Sequence, residues 1–197
     1  VNQLLENKRM RFALLLGALA ALGPLTIDTY LPSFPTIAND YGTTASLVQI
    51  SLTACLLGLG FGQLVIGPMS DVRGRHRPLI FFLFLYFAAS IFCAFAPSIF
   101  WFIGARFMQG FSAAAGLVIS RAIVRDVYSG RELTKFFALL MLINNMAPIL
   151  APVAGSGILA FTDWNGVFIV LGAVGILLVL VVTWKLDETL PADRRAI

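Results

Sequence analysis

Apolar residues run along this chain in six nearly continuous blocks of about twenty, at 12–31, 47–68, 78–96, 99–122, 136–160 and 165–186. Each block has the length a helix needs to cross a hydrocarbon layer of roughly 30 Å. A membrane β-strand would instead alternate in polarity over about ten residues. The pattern therefore predicts an all-α membrane protein, residues 1–197 forming one transmembrane domain of six helices. Glycines and prolines inside the blocks fit, because neighbouring helices in a bundle satisfy the backbone groups they free. The first block is long, carries Asp28 near its end and is followed by five more, so it is expected to be a retained helix and not a signal peptide.

Composition agrees: 59% of residues are hydrophobic and 12% charged, where a soluble domain has roughly a quarter charged. The basic residues sort by side. Lys8, Arg9 and Arg11 precede span one; Arg73, Arg75 and Arg77 follow span two. Arg121, Arg125, Arg131 and Lys135 surround the loop after span four, and Lys185, Arg194 and Arg195 follow span six, thirteen of the fourteen in all. The positive-inside rule then predicts both termini in the cytoplasm. The net charge of +4 is spread over short loops at a membrane face, so it predicts no nucleic-acid partner; the partner is the lipid bilayer. Tyr30, Tyr41, Trp101, Trp164 and Trp184 lie near span ends, where aromatic residues anchor helices at the interface. Cys55 and Cys93 fall inside spans and are expected to act as small apolar residues without a disulfide. His76, the single histidine, sits in a basic loop, and no Cys–His cluster, phosphate-cradling glycine loop or spaced carboxylate pair is present. No enzymatic activity, metal site or organic cofactor is expected.

Two charges lie where charges are costly. Asp28 is inside span one and Arg106 inside span four, each unfavourable by about 2.5–3.5 kcal/mol at a helix centre on the insertion scale. Asp28 is 17 residues past Arg11 and Arg106 is 15 before Arg121, or about 25 and 22 Å along their helices at 1.5 Å per residue. Their depths thus allow them to meet, either as a permanent ion pair that fixes packing or as part of an ion pathway. Small and polar residues share helical faces: Arg106, Gln109, Gly110 and Ala113 in span four; Gly17, Ala21, Pro24 and Asp28 in span one; Asn144, Ala147, Ala151 and Gly155 in span five. The glycines and alanines read as close helix packing. Tyr30, Gln49, Gln109, Asn144 and Asn145 are candidates to line a substrate cavity.

The loop Gly67-Pro68-Met69-Ser70-Asp71-Val72-Arg73-Gly74-Arg75-His76-Arg77 resembles the signature loop between the second and third helices of the major facilitator superfamily. Val72 stands where a basic residue usually follows the Asp, which leaves the partner of Asp71 open. Arg106-Phe107-Met108-Gln109-Gly110 is similar to the Arg-x-x-Gln-Gly signature of proton-coupled members. Ala151-Pro152-Val153-Ala154-Gly155-Ser156 is similar to the Gly-Pro-x-x-Gly-Gly signature of drug antiporters, with Ala151 and Ser156 in place of glycines. Asp28-Thr29-Tyr30-Leu31-Pro32-Ser33-Phe34-Pro35 and Glu188-Thr189-Leu190 resemble the Bcr/CflA drug-resistance branch.

The resemblance implies one half of a transporter whose two six-helix halves, each a pair of inverted three-helix repeats, alternate access to a midplane site. Asp71-Val72-Arg73-Gly74 and Asp163-Trp164-Asn165-Gly166 echo each other at corresponding hairpins. It further implies a proton-coupled efflux antiporter of the inner membrane for a small amphipathic or cationic substrate. Asp28 and Arg106 would serve coupling; Gly67, Asp71, Arg73, Gly74 and Arg75 the conformational change; Ala151, Pro152 and Gly155 the antiporter-type helix. The proton would be the only coupling species, and the partner a C-terminal six-helix half or a second copy of this chain. The competing readings are a transporter of sugars, organic acids or siderophore-like metabolites on the same fold, and a membrane interaction module that moves nothing.

Overall fold

The computed structural model describes residues 2–195, with side chains from residue 10 onward except that of Arg194. Lys8, Arg9 and Arg194, part of the charge pattern above, lie outside the described side chains. The described α-helices are α1 Asn2–Asp28, α2 Phe34–Asp40, α3 Ala45–Arg73, α4 His76–Ala94, α5 Ile99–Val127, α6 Gly130–Leu159 and α7 Trp164–Lys185. A 3₁₀ turn at Leu31–Ser33 joins α1 to α2, so Met10–Asp40 is one membrane segment. That makes six segments long and apolar enough to span a bilayer, with no strand among the described residues.

Local chemistry sets the ends. α1 stops at Asp28, short of the expected 31, because the next bonds in the ladder would have to come through Pro32. Proline has no N–H to donate to the Asp28 carbonyl. α3 begins after Thr44, whose Oγ1 accepts the Leu47 N–H at 3.4 Å, an N-cap. At the basic end α3, α5 and α6 overrun their apolar blocks and reach Arg73, Val127 and Gly130. Hydropathy marks where the chain leaves hydrocarbon, and a helix continues beyond that point.

α5 is the centre of the bundle, with 72% of its apolar stretch buried, against 28% for α3 and 22% for α6. The α3–α5 contact is made backbone to backbone. A Cβ on Gly58 or Gly62 would collide with the Phe107 or Phe111 carbonyl, and one on Gly110 with the Cys55 carbonyl. Small residues thus permit the close approach that drives helix association in lipid. α1 packs on α5 and α6, and α4 on α5 and α7. Exchanging the first three segments for the last three replaces α1 by α5, α3 by α6 and α4 by α7, and turns the α3–α5 contact into α6–α1. Three crossings separate the equivalents, so the second repeat starts from the opposite face and is inverted. The outer faces of α3, with Leu57, Phe61 and Leu64, and of α6, with Ile149 and Val153, are exposed.

Candidate functional site

Arg106 is completely buried on the inner face of α5, one turn before Gln109. Its guanidinium lies 4.0 Å from the centroid of the Tyr30 ring and 5.5 Å from that of Phe168. Nη1 donates to Gln109 Oε1 at 2.5 Å and Nη2 to the Thr26 carbonyl at 3.1 Å, while Nε has no acceptor among the described residues. Gln109 Nε2 donates in turn to Ser90 Oγ at 2.8 Å. Tyr86 shares a 2.7 Å hydrogen bond with Thr26, and Tyr30 a 3.3 Å bond with Ser51. The network joins α1, α3, α4 and α5 through dipoles and ring faces, without a carboxylate on the cation.

Asp28 takes no part in it. The residue is half-buried at the end of α1, and its carboxyl has no hydrogen bond or ion pair with a described residue. The meeting with Arg106 that depth allows does not occur, and helix geometry explains why. Thr26 and Tyr30, one turn apart, face α5; Asp28, two residues from each, is about 200° around from Thr26. Tyr30 likewise is no interfacial anchor, since it is fully buried beneath Arg106. Trp164 is also buried, its Nε1 donating to Asp40 at 2.6 Å, and Tyr41 donates to the Ala96 carbonyl at 2.9 Å, whereas Trp101 and Trp184 are exposed.

Of the cavity candidates, the structure brings Tyr30 and Gln109 together around Arg106. Gln49 and Asn145 are exposed on α3 and α6. Asn144 borders a separate cleft of about 160 Å³ with Arg121, Leu117 and Phe137, its Oδ1 buried and unpaired among the described residues. Ala151 and Gly155 are buried and Pro152 half-buried on α6. A Cβ at Gly155 would strike the Thr29 carbonyl, so this segment presses on the chain next to Asp28.

The signature loop is a clasp at the basic end. Gly67 offers its carbonyl to Ser70 Oγ at 2.8 Å. Gly74 adopts φ +88°, the left-handed conformation that glycine tolerates, and turns α3 into α4. Arg75, buried, is the partner of Asp71: Nη1 donates to Asp71 Oδ1 at 2.6 Å and to Ser70 Oγ at 2.8 Å, and Nε to Asp126 Oδ2 at 2.8 Å. Arg73 is exposed, beside Met69 Sδ. Glu188 closes the clasp, accepting the N–H groups of Arg75 at 2.8 Å, Leu190 at 3.0 Å and His76 at 3.3 Å. Partial burial pushes the Glu188 carboxyl up, but the N–H groups of Arg75, Leu190 and His76 and the Arg195 guanidinium outweigh it and hold it below its usual range. Sequence reasoning missed Asp126 as a partner and saw Glu188 only as part of a motif. The available signal was a carboxylate at the end of span four among basic residues.

Residues 12–196 match the Major Facilitator Superfamily. The chain belongs to that superfamily. This major facilitator is 56% identical over 191 residues to the MFS-type transporter YdgK of Bacillus subtilis, covering 96% of this chain and 48% of YdgK. It is 35% identical over 184 residues to a bicyclomycin resistance protein homolog of Haemophilus influenzae, covering 93% of this chain and 46% of that protein. The chain spans about half the length of these relatives. Its fold matches the crystal structure of the human organic anion transporter MFSD10 with a TM-score of 0.76 at 20% identity, over 96% of this chain and 50% of that one. The superfamily is one of transporters and not of enzymes, and among the described residues this chain supplies six segments long and apolar enough to cross a membrane.

Proposed function

We propose that this facilitator half belongs to a proton-coupled efflux antiporter of the bacterial inner membrane, exchanging protons for a small amphipathic or cationic substrate by alternating access. Both termini face the cytoplasm in this reading, and the other half of the site comes from a C-terminal six-helix partner or a second copy of the chain. The observation that carries it is Asp28, a carboxyl within a membrane segment, half-buried and unpaired among the described residues. An intramembrane carboxylate without a fixed partner is suited to bind and release a proton as its access changes. The likeness to a bicyclomycin resistance protein homolog supports a drug-like substrate. The complete burial of Arg106 weighs against an anionic substrate, since that cation offers no open surface.

The test is Asp28→Asn in the full-length transporter, in vesicles under an imposed pH gradient. The amide keeps the shape and a hydrogen-bonding group but cannot exchange a proton, so gradient-driven flux is expected to vanish with insertion unchanged. Wild-type flux from this variant across several gradients removes Asp28 from coupling.

A further inference from the structure

We propose that the groove between α1 and α7 at the basic end is a binding site for an anionic phospholipid, an acyl chain lying between the helices and the phosphodiester held by Arg11 and Lys185.

The groove is a break in the internal symmetry. α4 packs along α5, and the repeat relation turns that pair into α7 and α1, which hardly touch. What remains between them is a space of about 560 Å³, within the range of small-molecule sites, roughly 300–1,000 Å³. Leu14, Leu15 and Ala18 form one wall and Leu177, Leu178 and Val181 the other. Leu178 is a buried floor, while Leu14 and Leu177 are exposed rims. These residues lie within membrane segments, where water has nothing to bind and an unfilled gap forfeits the dispersion contacts of its lining. An acyl chain from the surrounding lipid restores them.

The mouth supplies the selection. Arg11 and Lys185 line the same groove, both exposed and neither in an ion pair with a described residue. Basic pockets between membrane helices favour anionic headgroups. Beyond Lys185 the groove continues into a cleft lined by Phe12, Tyr128, Thr189 and Asp187. The Asp187 carboxylate repels a phosphate there, which confines the headgroup to the space between the two cations.

The site is tested with the full-length transporter, delipidated in mild detergent and titrated with phosphatidylglycerol or phosphatidylcholine of the same acyl chains, bound lipid being counted by native mass spectrometry. Wild type is expected to prefer phosphatidylglycerol by about tenfold. Arg11→Gln with Lys185→Gln, both at exposed positions, should abolish the preference while lipid still binds. Ala18→Phe, which fills the groove, should remove the bound lipid of either kind. A photo-crosslinking residue at position 18 in native membranes should capture a lipid-sized adduct. The proposal is overturned by an unchanged preference in the Gln variant, by capture of a protein segment at position 18, or by millimolar inorganic phosphate displacing the lipid, which would mark a free-phosphate site. Should Ala18→Phe not fold, the Gln variant and the crosslink decide.

Discussion

Replacing Arg106 by methionine separates a structural cation from a working one. Methionine is also long and unbranched, so Arg106→Met leaves no large cavity in α5 and removes only the charge and the interactions it makes. Those are the hydrogen bonds to the Thr26 carbonyl at 3.1 Å and Gln109 Oε1 at 2.5 Å and the approach to the Tyr30 ring at 4.0 Å. Hydrogen bonds to a charged group contribute about 1.5–3 kcal/mol each and a desolvated cation–π contact about 2 kcal/mol, together about 5–8 kcal/mol. Against this stands the desolvation of a completely buried guanidinium with no carboxylate partner and an unsatisfied Nε, several kcal/mol per ion. The expected net destabilisation is about 0–3 kcal/mol, so Arg106→Met should insert and fold. Transport should fall at least a hundredfold, with Arg106→Lys intermediate because it keeps the charge without the planar fork. The assays are thermal melting in nanodiscs and pH-gradient-driven flux at matched expression. Wild-type flux from Arg106→Met would remove the charge from the mechanism. Failure to insert, rescued by Arg106→Lys, would make Arg106 a packing element.

At the clasp, Arg75→Gln strands Asp126, whose side chain is 16% exposed, while Asp71, at 52%, stays hydrated. The cost is expected near 2 kcal/mol, below the 3–5 kcal/mol of a fully buried pair, and hydrogen exchange at residues 70–78 should rise without a change in α5. Because the Glu188 carboxyl is held below its ordinary value of 4.5, its contribution is fully present above that pH and is lost as pH falls through the depressed folded value. Opening of the loop, read by hydrogen exchange at the Arg75 and His76 amides that Glu188 accepts and corrected for the intrinsic pH dependence of exchange, should therefore rise at acid pH in the wild type and be raised already at neutral pH in Glu188→Gln. Gly155→Val places a side chain against the Thr29 carbonyl and should cost about 1–3 kcal/mol by overpacking, seen as a lower melting temperature. The same change at Gly157, which meets nothing, should leave melting unaltered.

The six segments were legible because a bilayer removes the ambiguity that a soluble core leaves: one solvent, one thickness, and helices whose apolar length reports the crossing directly. The overrun of α3, α5 and α6 was not legible, since nothing in hydropathy separates a helix in water from a loop in water. The clasp was half legible. Asp71, Gly74 and Arg75 stood in a recognisable loop, but Glu188 lies 113 residues from Arg75 and Asp126 lies 51 from it, distances in sequence that no local pattern spans. Tyr30 was misjudged for a physical reason: an aromatic near a span end is placed by depth at the interface, and only the fold shows that Tyr30, one turn past Thr26, lies on the α5 side of the segment against Arg106.

Asp28 and Arg106 show what depth alone leaves undetermined. Two residues on neighbouring helices meet only if they agree in depth and in angle, and the angle was written in the stripe that Gly17, Ala21, Pro24 and Asp28 form along α1. The structure shows where that stripe points, because a Cβ on Gly17 would run into Ile143 of α6. The opposite face, Leu19 and Thr26, meets α5, where a Cβ on Gly116 would strike the Leu19 carbonyl and Arg106 holds the Thr26 carbonyl. Seven residues bring Leu19 and Thr26 to within about 20° of each other, and eleven do the same for Gly17 and Asp28. α1 is therefore a divider, with the buried cation network on its α5 side and the carboxyl on its α6 side. In the antiport reading a proton on Asp28 acts on Arg106 through rotation or displacement of α1 between α5 and α6, and the tight seat of Gly155 against Thr29 is where such a movement would be felt first.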